Sequence, residues 1–369
     1  MQETDAVLNA RREMEICNAC RYCEGFCAVF PAVELRREFS AGDLSYLANL
    51  CHGCRGCYYA CQYAPPHVWG VNVPRTLAEV RAESYVEYAW PPSLARAFER
   101  NGVVVSLVAA LSITLILLVA MAISAPGQFF SARPMVADAF YTVIPLWAMQ
   151  LVGLGSFGFS IFALAKGAAN FWKDAGAKDR ITVSAIAIAL WDTITLKNLG
   201  GGGDGCNDNS ERFSMRRRYL HHAMAGGFML CFAATTVGFI YHSFLGWPAP
   251  YPFISLPVVL GTVGGVLLTI GTVGLFAMKL VEDPIPAARR MLGGDVAMLV
   301  LLALAAITGL FLLAVRASGA MGIALAIHLG FILALFLVLP YSKMVHGVYR
   351  SAALLRRAVE RDMKPLGGE

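Results

Sequence analysis

Six apolar runs constrain this chain more than any other feature. They lie at 102–124, 140–165, 222–245, 255–280, 295–315 and 321–342. Each is about 20 residues long, enough for a helix to cross roughly 30 Å of hydrocarbon. The composition agrees, with 57% hydrophobic and 15% charged residues, where a soluble domain carries about 25% charged. The apolar excess begins after Asn101, and residues 1–100 are polar enough to form a soluble head. The sequence therefore predicts an all-α membrane protein: six transmembrane helices behind an N-terminal α-helical head.

Charge orients the spans, because loops rich in Lys and Arg stay in the cytoplasm. The connection 166–221 carries nine such residues, Lys173, Arg180 and Arg216 to Arg218 among them. The 281–294 loop has Arg289 and Arg290, and the tail has Arg350, Arg356, Arg357 and Arg361. The opposite loops carry a single arginine each, Arg133 and Arg316, or none. Both termini are expected in the cytoplasm. The net charge of +5 is this bias and implies no nucleic-acid partner.

The head contains a repeated cysteine pattern. Cys17, Cys20, Cys23 and Cys27 have C-x2-C-x2-C-x3-C spacing, and Cys51, Cys54, Cys57 and Cys61 repeat it. Bacterial ferredoxins hold [4Fe–4S] clusters with this spacing, the fourth cysteine of each run serving the other cluster. The reading is two clusters, one on Cys17, Cys20, Cys23 and Cys61, the other on Cys51, Cys54, Cys57 and Cys27. Disulfides would suit a secreted domain, and no signal peptide precedes these cysteines. Zinc sites use separated pairs rather than four cysteines in eleven residues. Proline, which follows the last ferredoxin cysteine directly, comes later here, at Pro31 and Pro65. Gly25, Gly53 and Gly56 are expected to let the backbone turn tightly past the sulfurs.

Short helices are expected at 3–15 and 32–50, the latter with a Leu44, Leu47, Leu50 stripe. An amphipathic stretch at 75–89 ends at Trp90-Pro91-Pro92, and 93–101, with Arg96 and Arg100, reads as an interfacial lead-in to the first span. His52 and His67 read as solvent-facing or supporting imidazoles rather than ligands. In the long connection, Val183, Ile186, Ala187, Leu190, Trp191 and Ile194 share one helical face, which predicts a helix on the membrane surface or against the head. The glycine-rich stretch Leu199 to Asn207 lacks the lysine and preceding strand of a phosphate loop and reads as a tight backbone feature close to a cofactor or partner. Arg216, Arg217 and Arg218 read as membrane anchors, with pairing to haem propionates as the alternative. Cys206 and Cys231 read as packing residues.

Five of the seven histidines belong to two membrane segments: His221, His222 and His242 on the third, His328 and His346 on the sixth. Neutral imidazole is an axial ligand of haem iron. At about 100° per residue, His328 and His346 would share a face of one helix, and His221 and His242 nearly so. In antiparallel spans, the pairs His221/His346 and His242/His328 have almost equal index sums. The reading is one or two haems b, the first held by His221 and His346 with His222 as a substitute for His221, the second by His242 and His328.

Taken together, the cysteine runs, L-G-G-G-G-D-G-C-N, R-R-R-Y-L-H-H-A-M, L-C-F-A-A-T-T-V-G-F-I-Y-H and G-W-P-A-P-Y-P resemble the tricarballylate-utilisation protein B, or CitB-type, family over nearly the whole chain. That family is related to the membrane half of a flavohaem protein of cobalamin synthesis. The resemblance implies a relay that takes electrons from a separate, soluble FAD-dependent dehydrogenase of tricarballylate to the respiratory chain, through iron–sulfur clusters and in some members haem. The expectation is a bacterial inner-membrane subunit delivering electrons to quinone, with substrate oxidation on the partner chain. The alternative is a redox sensor or assembly subunit without turnover. The expected organisation is a ferredoxin-like head at 1–100, a six-helix bundle at 101–345 including the connection 166–221, and a cytoplasmic tail at 346–369. Residues 199–218 and the head are the expected docking face for the flavoprotein.

Overall fold

The computed structural model describes residues 1–98, 101–124, 129–132, 138–177, 179–201 and 203–363. Arg100, Arg133, Gly202 and the end of the tail lie outside the described residues. Within them the chain is helical, apart from one isolated bridge between Cys206 and Ser214.

The head consists of α1 (Asp5–Cys20), α2 (Val29–Val33), α3 (Ala41–Leu50), α4 (Gly56–Tyr59), α5 (Val73–Glu87) and α6 (Pro92–Ala97). Short polar side chains open the three longest. Thr4 accepts from the Val7 amide, Ser40 from Asp43 and Asn72 from Arg75, each satisfying a backbone donor that the first turn cannot. Leu44, Leu47 and Leu50 are buried with Tyr46 and Ala48, so α3 is the centre of the head rather than a one-sided helix. The expected helix at 3–15 continues through Cys20, and the one at 32–50 divides into α2 and α3.

The bundle follows as α7 (Asn101–Ile123), α8 (Leu146–Ala175), the short surface helix α9 (Val183–Ile194), α10 (Arg216–Leu245), α11 (Leu256–Val281), α12 (Arg289–Val315) and α13 (Met321–Val338). Among the described residues six helices are long and apolar enough to cross a membrane. In order of contact they make an arc in which α8 packs on α13, α13 on α7 and α12, α12 on α11, and α11 on α10. The α10–α11 interface depends on glycine. A Cβ on Gly227 would lie 2.7 Å from the Gly264 carbonyl oxygen, and one on Gly271 would lie 2.7 Å from that of Leu220. Small residues let helix backbones approach closely where lipid offers no hydrophobic drive between helices.

The sixth apolar run does not continue to His346. It ends at Val338 in a 3-10 turn, Leu339–Tyr341, with Pro340 inside it, and α14 (Val345–Met363) begins afresh. Pro removes a helix hydrogen bond and crowds the preceding turn. The shared face expected of His328 and His346 therefore does not exist, since they stand on different helices. Nor is α14 a loose tail. It buries Tyr349, Ala353, Leu354, Ala358 and Val359 against α3, α8 and α9.

The head is tied to one end of the bundle. The terminal amine of Met1 reaches Asp174 at 2.6 Å, Tyr59 donates to Asp283 at 2.7 Å, and Asn72 donates to the Ile285 carbonyl at 3.0 Å. Arg36, Arg356, Asp43, Glu360 and Tyr46 knit α14 to the edge of α3. The three arginine-rich segments all meet the head. At the opposite end, the Asp138 amide donates to the Ala249 carbonyl at 2.9 Å, and Arg316 donates to Tyr251 at 2.7 Å while covering the Phe253 ring.

Candidate functional site

The eight cysteines line two cavities that share Phe30 as a common wall. One is lined by Cys17, Cys20, Cys23 and Cys61, the other by Cys27, Cys51, Cys54 and Cys57. The fourth cysteine of each run thus sits with the first three of the other. Among the described residues no three His, Cys, Asp or Glu converge on a single-ion site; the sulfurs surround a space instead. All eight are free thiols. Burial, reinforced by neighbouring cysteines, pushes the thiol of Cys23 up to about 12 and raises those of Cys17, Cys27 and Cys57 well above the ordinary value. Thiolates so placed need positive charge among them, which the irons of a cubane supply. The donor set fits two [4Fe–4S] clusters.

The turns differ from expectation in one respect. Of Gly25, Gly53 and Gly56, only Gly53 takes a left-handed backbone, at φ +62°. Arg21 and Arg55 occupy the other left-handed positions, at φ 56° and 66°. Such a conformation costs a residue with a Cβ roughly 1–2 kcal/mol, and Arg55 is held there from outside. Its guanidinium donates to the Asp208 carbonyl at 2.6 Å and to Glu282 at 2.7 Å. The glycine-rich stretch packs on the same turn, where the Asn207 amide donates to the Cys54 carbonyl at 2.8 Å. Leu199, Cys206 and Asn207 are buried, so this part of the expected docking face points inward, onto the second cysteine run.

Two membrane-edge helices grip that run. From α10, Arg217 donates to the Gly53 carbonyl at 2.7 Å; from α14, Arg350 donates to the Cys51 carbonyl at 3.0 Å and the Asn49 carbonyl at 3.3 Å. Four residues from each arginine, one helical turn toward the bundle, stands a histidine, and the two meet. The rings of His221 and His346 are 6.0 Å apart, centre to centre, with planes at 86°. His346 donates Nδ1–H to the Lys343 carbonyl, which fixes its tautomer and leaves Nε2 as the basic nitrogen. His221 has a buried Nδ1 without a hydrogen-bond partner. Two neutral imidazoles brought together in this way are donors of the type that binds a single iron.

The remaining histidines have other neighbours. His222 Nε2 lies 3.3 Å from the Ile194 carbonyl, at the end of α9. His242 packs edge to face on Tyr141 at 5.0 Å. The His328 ring lies against Gly309, with Nδ1 3.2 Å from the Thr308 hydroxyl. The structure brings His221 and His346 together but gives His242 and His328 separate partners, and α10 and α13 share no interface on the scale of α10 and α11. Arg218 donates to the Thr195 carbonyl at 2.8 Å, and Arg216 is exposed. His67 joins an aromatic group with Tyr63 and Trp69 on the head surface. His52 is buried against the Leu50 carbonyl, and burial, with Arg350 nearby, holds it well below its ordinary value and therefore neutral.

The sequence counts Arg350 only as a charge of the tail and does not reveal its contact with the second cysteine run. Nor does it single out Asp295 and Lys343, paired at 2.7 Å where head and bundle meet.

Comparison with known proteins agrees with this layout. Residues 97–366 match the citrate utilization protein B family, and residues 10–87 match its Fer4-like domain. The citrate utilization protein B of Escherichia coli is 45% identical over 359 residues, covering 97% of this chain and 93% of that protein. No solved structure matches.

Proposed function

This chain belongs to the citrate utilization protein B family, and on that premise we propose that it is a membrane electron-transfer subunit. It takes electrons from a soluble FAD-dependent dehydrogenase and passes them to the quinone pool. The dehydrogenase acts on a tricarboxylic acid of the citrate or tricarballylate kind, a reading supported by the sequence resemblance and by the relative's name. Two [4Fe–4S] clusters on the eight cysteines, and a haem b on His221 and His346, supply one-electron chemistry when bound.

The observation that carries this reading is the pair of arginine–histidine turns. Arg217 and Arg350 hold the backbone of the second cysteine run against the two helices whose next turns present His221 and His346. One rigid unit therefore spans head and bundle. The first cysteine cavity is lined by exposed Tyr22 and by Tyr63, whose ring packs on exposed Trp69; that aromatic surface is the docking face for the donor. The head lies in the cytoplasm of a bacterial inner membrane, on the side of the arginine-rich segments.

The test is anaerobic purification from membranes followed by iron, sulfide and haem quantification, then reduction by a flavoprotein dehydrogenase with its substrate. Eight irons, haem b, and substrate-dependent reduction of added quinone are expected. Stoichiometric zinc without iron would overturn the reading.

A further inference from the structure

We propose that the cavity between α5, α6 and the start of α12 binds the head of a membrane quinone. This rests on the electron-relay reading and specifies where its acceptor sits. One wall of the cavity is apolar, made by Val86, Phe98 and Met291, with Tyr341 stacked on Phe98 at 5.1 Å and 27°. The other end is polar. Asp295 is held between Lys343 Nζ at 2.7 Å and Lys279 Nζ at 3.2 Å. Beside them the Tyr85 hydroxyl is buried with no hydrogen-bond partner.

A buried hydroxyl without a partner is costly. Here it lies in a cavity that also offers ammonium N–H groups, donors that suit the carbonyl oxygens of a quinone ring. The apolar wall suits the ring face.

The position suits electron delivery. Lys343 lines the cavity, and its carbonyl accepts the hydrogen bond from His346. Tyr85 packs on Tyr349 at 6.0 Å, and Tyr349 lies one turn beyond His346 on α14. Reduction of a quinone held here takes two electrons, originating in the reduced flavin of the partner, and two protons from water on the head side. Both carbonyl oxygens become hydroxyls, and the quinol leaves by the route the quinone entered.

The experiment uses the full chain in lipid nanodiscs, with two readouts. An azido-ubiquinone photolabel should mark peptides holding Tyr85 and Met291 in wild-type protein, and Met291→Trp, which fills the apolar wall, should abolish the mark. Separately, dithionite-reduced protein is mixed with a short-chain ubiquinone or with ferricyanide, and reoxidation is followed in the visible spectrum. Tyr85→Phe should slow reoxidation by quinone about tenfold, the effect of one lost hydrogen bond, and leave reoxidation by ferricyanide unchanged. Labelling confined to another face, or a Met291→Trp protein that folds and reoxidises with quinone at the wild-type rate, overturns the site alone. Wild-type protein that ferricyanide reoxidises and quinone does not overturns the relay reading as well.

Discussion

Arg350 donates to the carbonyl of Cys51 at 3.0 Å from a position four residues beyond His346, and Arg217 reaches the carbonyl of Gly53 from four residues before His221. The second cysteine turn is therefore held by the same two helices that bring the histidines together. Buried carbonyls paired with guanidinium are strong contacts, and losing such a partner leaves a desolvated acceptor. Head and bundle meet at this joint, with the second cysteine run on one side of it and the paired histidines on the other.

Breaking the joint should disturb one cluster selectively. Arg350→Ala is expected to cost about 1.5–3 kcal/mol for the lost charged hydrogen bonds and to loosen the Cys51 turn. Electron paramagnetic resonance of the reduced protein should show one cluster signal weakened and the other intact. Equal loss of both would mean that Arg350 supports the head as a whole.

The crossed ligand sets make a second prediction. Cys61→Ser should remove the cluster whose other ligands are Cys17, Cys20 and Cys23, and Cys27→Ser the cluster of Cys51, Cys54 and Cys57. In double variants, Cys61→Ser with Cys20→Ser should keep about four of eight irons, as for one remaining cubane. Loss of all iron in that pair would show that each run serves its own cluster.

Adjacent glycines on α10 should behave oppositely. A Cβ on Gly227 would press on α11, 2.8 Å from the Leu268 Cα, whereas one on Gly226 meets nothing within 4 Å. Gly227→Ala should cost about 1–3 kcal/mol by overpacking. Gly226→Ala should be neutral or gain up to about 1 kcal/mol from helix propensity. Thermal unfolding in detergent would separate the two, and equal effects would contradict the packing described.

Asp43 links the head to α14. Burial would raise its pKa, but hydrogen bonds from Ser40, Arg36 and Arg356, with the arginine charges, hold it at about 2, below the ordinary 3.8. A carboxylate depressed in the folded state contributes stability above its unfolded pKa and loses it as pH falls through the folded value. Asp43→Asn should therefore lower the melting temperature at neutral pH, with the gap to wild type closing between about pH 4 and pH 2. Tryptophan fluorescence melts across that range would check it, and a gap unchanged at pH 2 would rule out the ion pair as its cause.

Much of this layout is legible in the sequence. Six apolar runs, the duplicated cysteine spacing and the face shared by Val183 to Ile194 each report a local requirement: a slab of lipid, an iron cube, or an apolar stripe that α9 leaves exposed while Ala185 and Ala189 pack inward. Helix ends were less legible. α8, α10 and α12 extend past their apolar runs, to Ala175 and from Arg216 and Arg289, because hydropathy marks the lipid slab and not the helix that continues into the head. The break at Pro340 lies inside the sixth apolar run, so hydropathy does not show it or the separation of His328 from His346. The Arg217 and Arg350 contacts join residues 164 and 299 positions apart, and no local pattern carries that information.

Haem content across the histidine series tests the central claim most directly. Reduced-minus-oxidised spectra, normalised to acid-labile sulfide in the same samples, would be taken for wild type and for single alanine variants of His221, His222, His242, His328 and His346. The His221/His346 geometry predicts that His221→Ala and His346→Ala lose the haem signal while keeping both clusters, and that the other three retain it. A wild-type protein with full sulfide and no haem, or His346→Ala with its haem intact, would contradict the account.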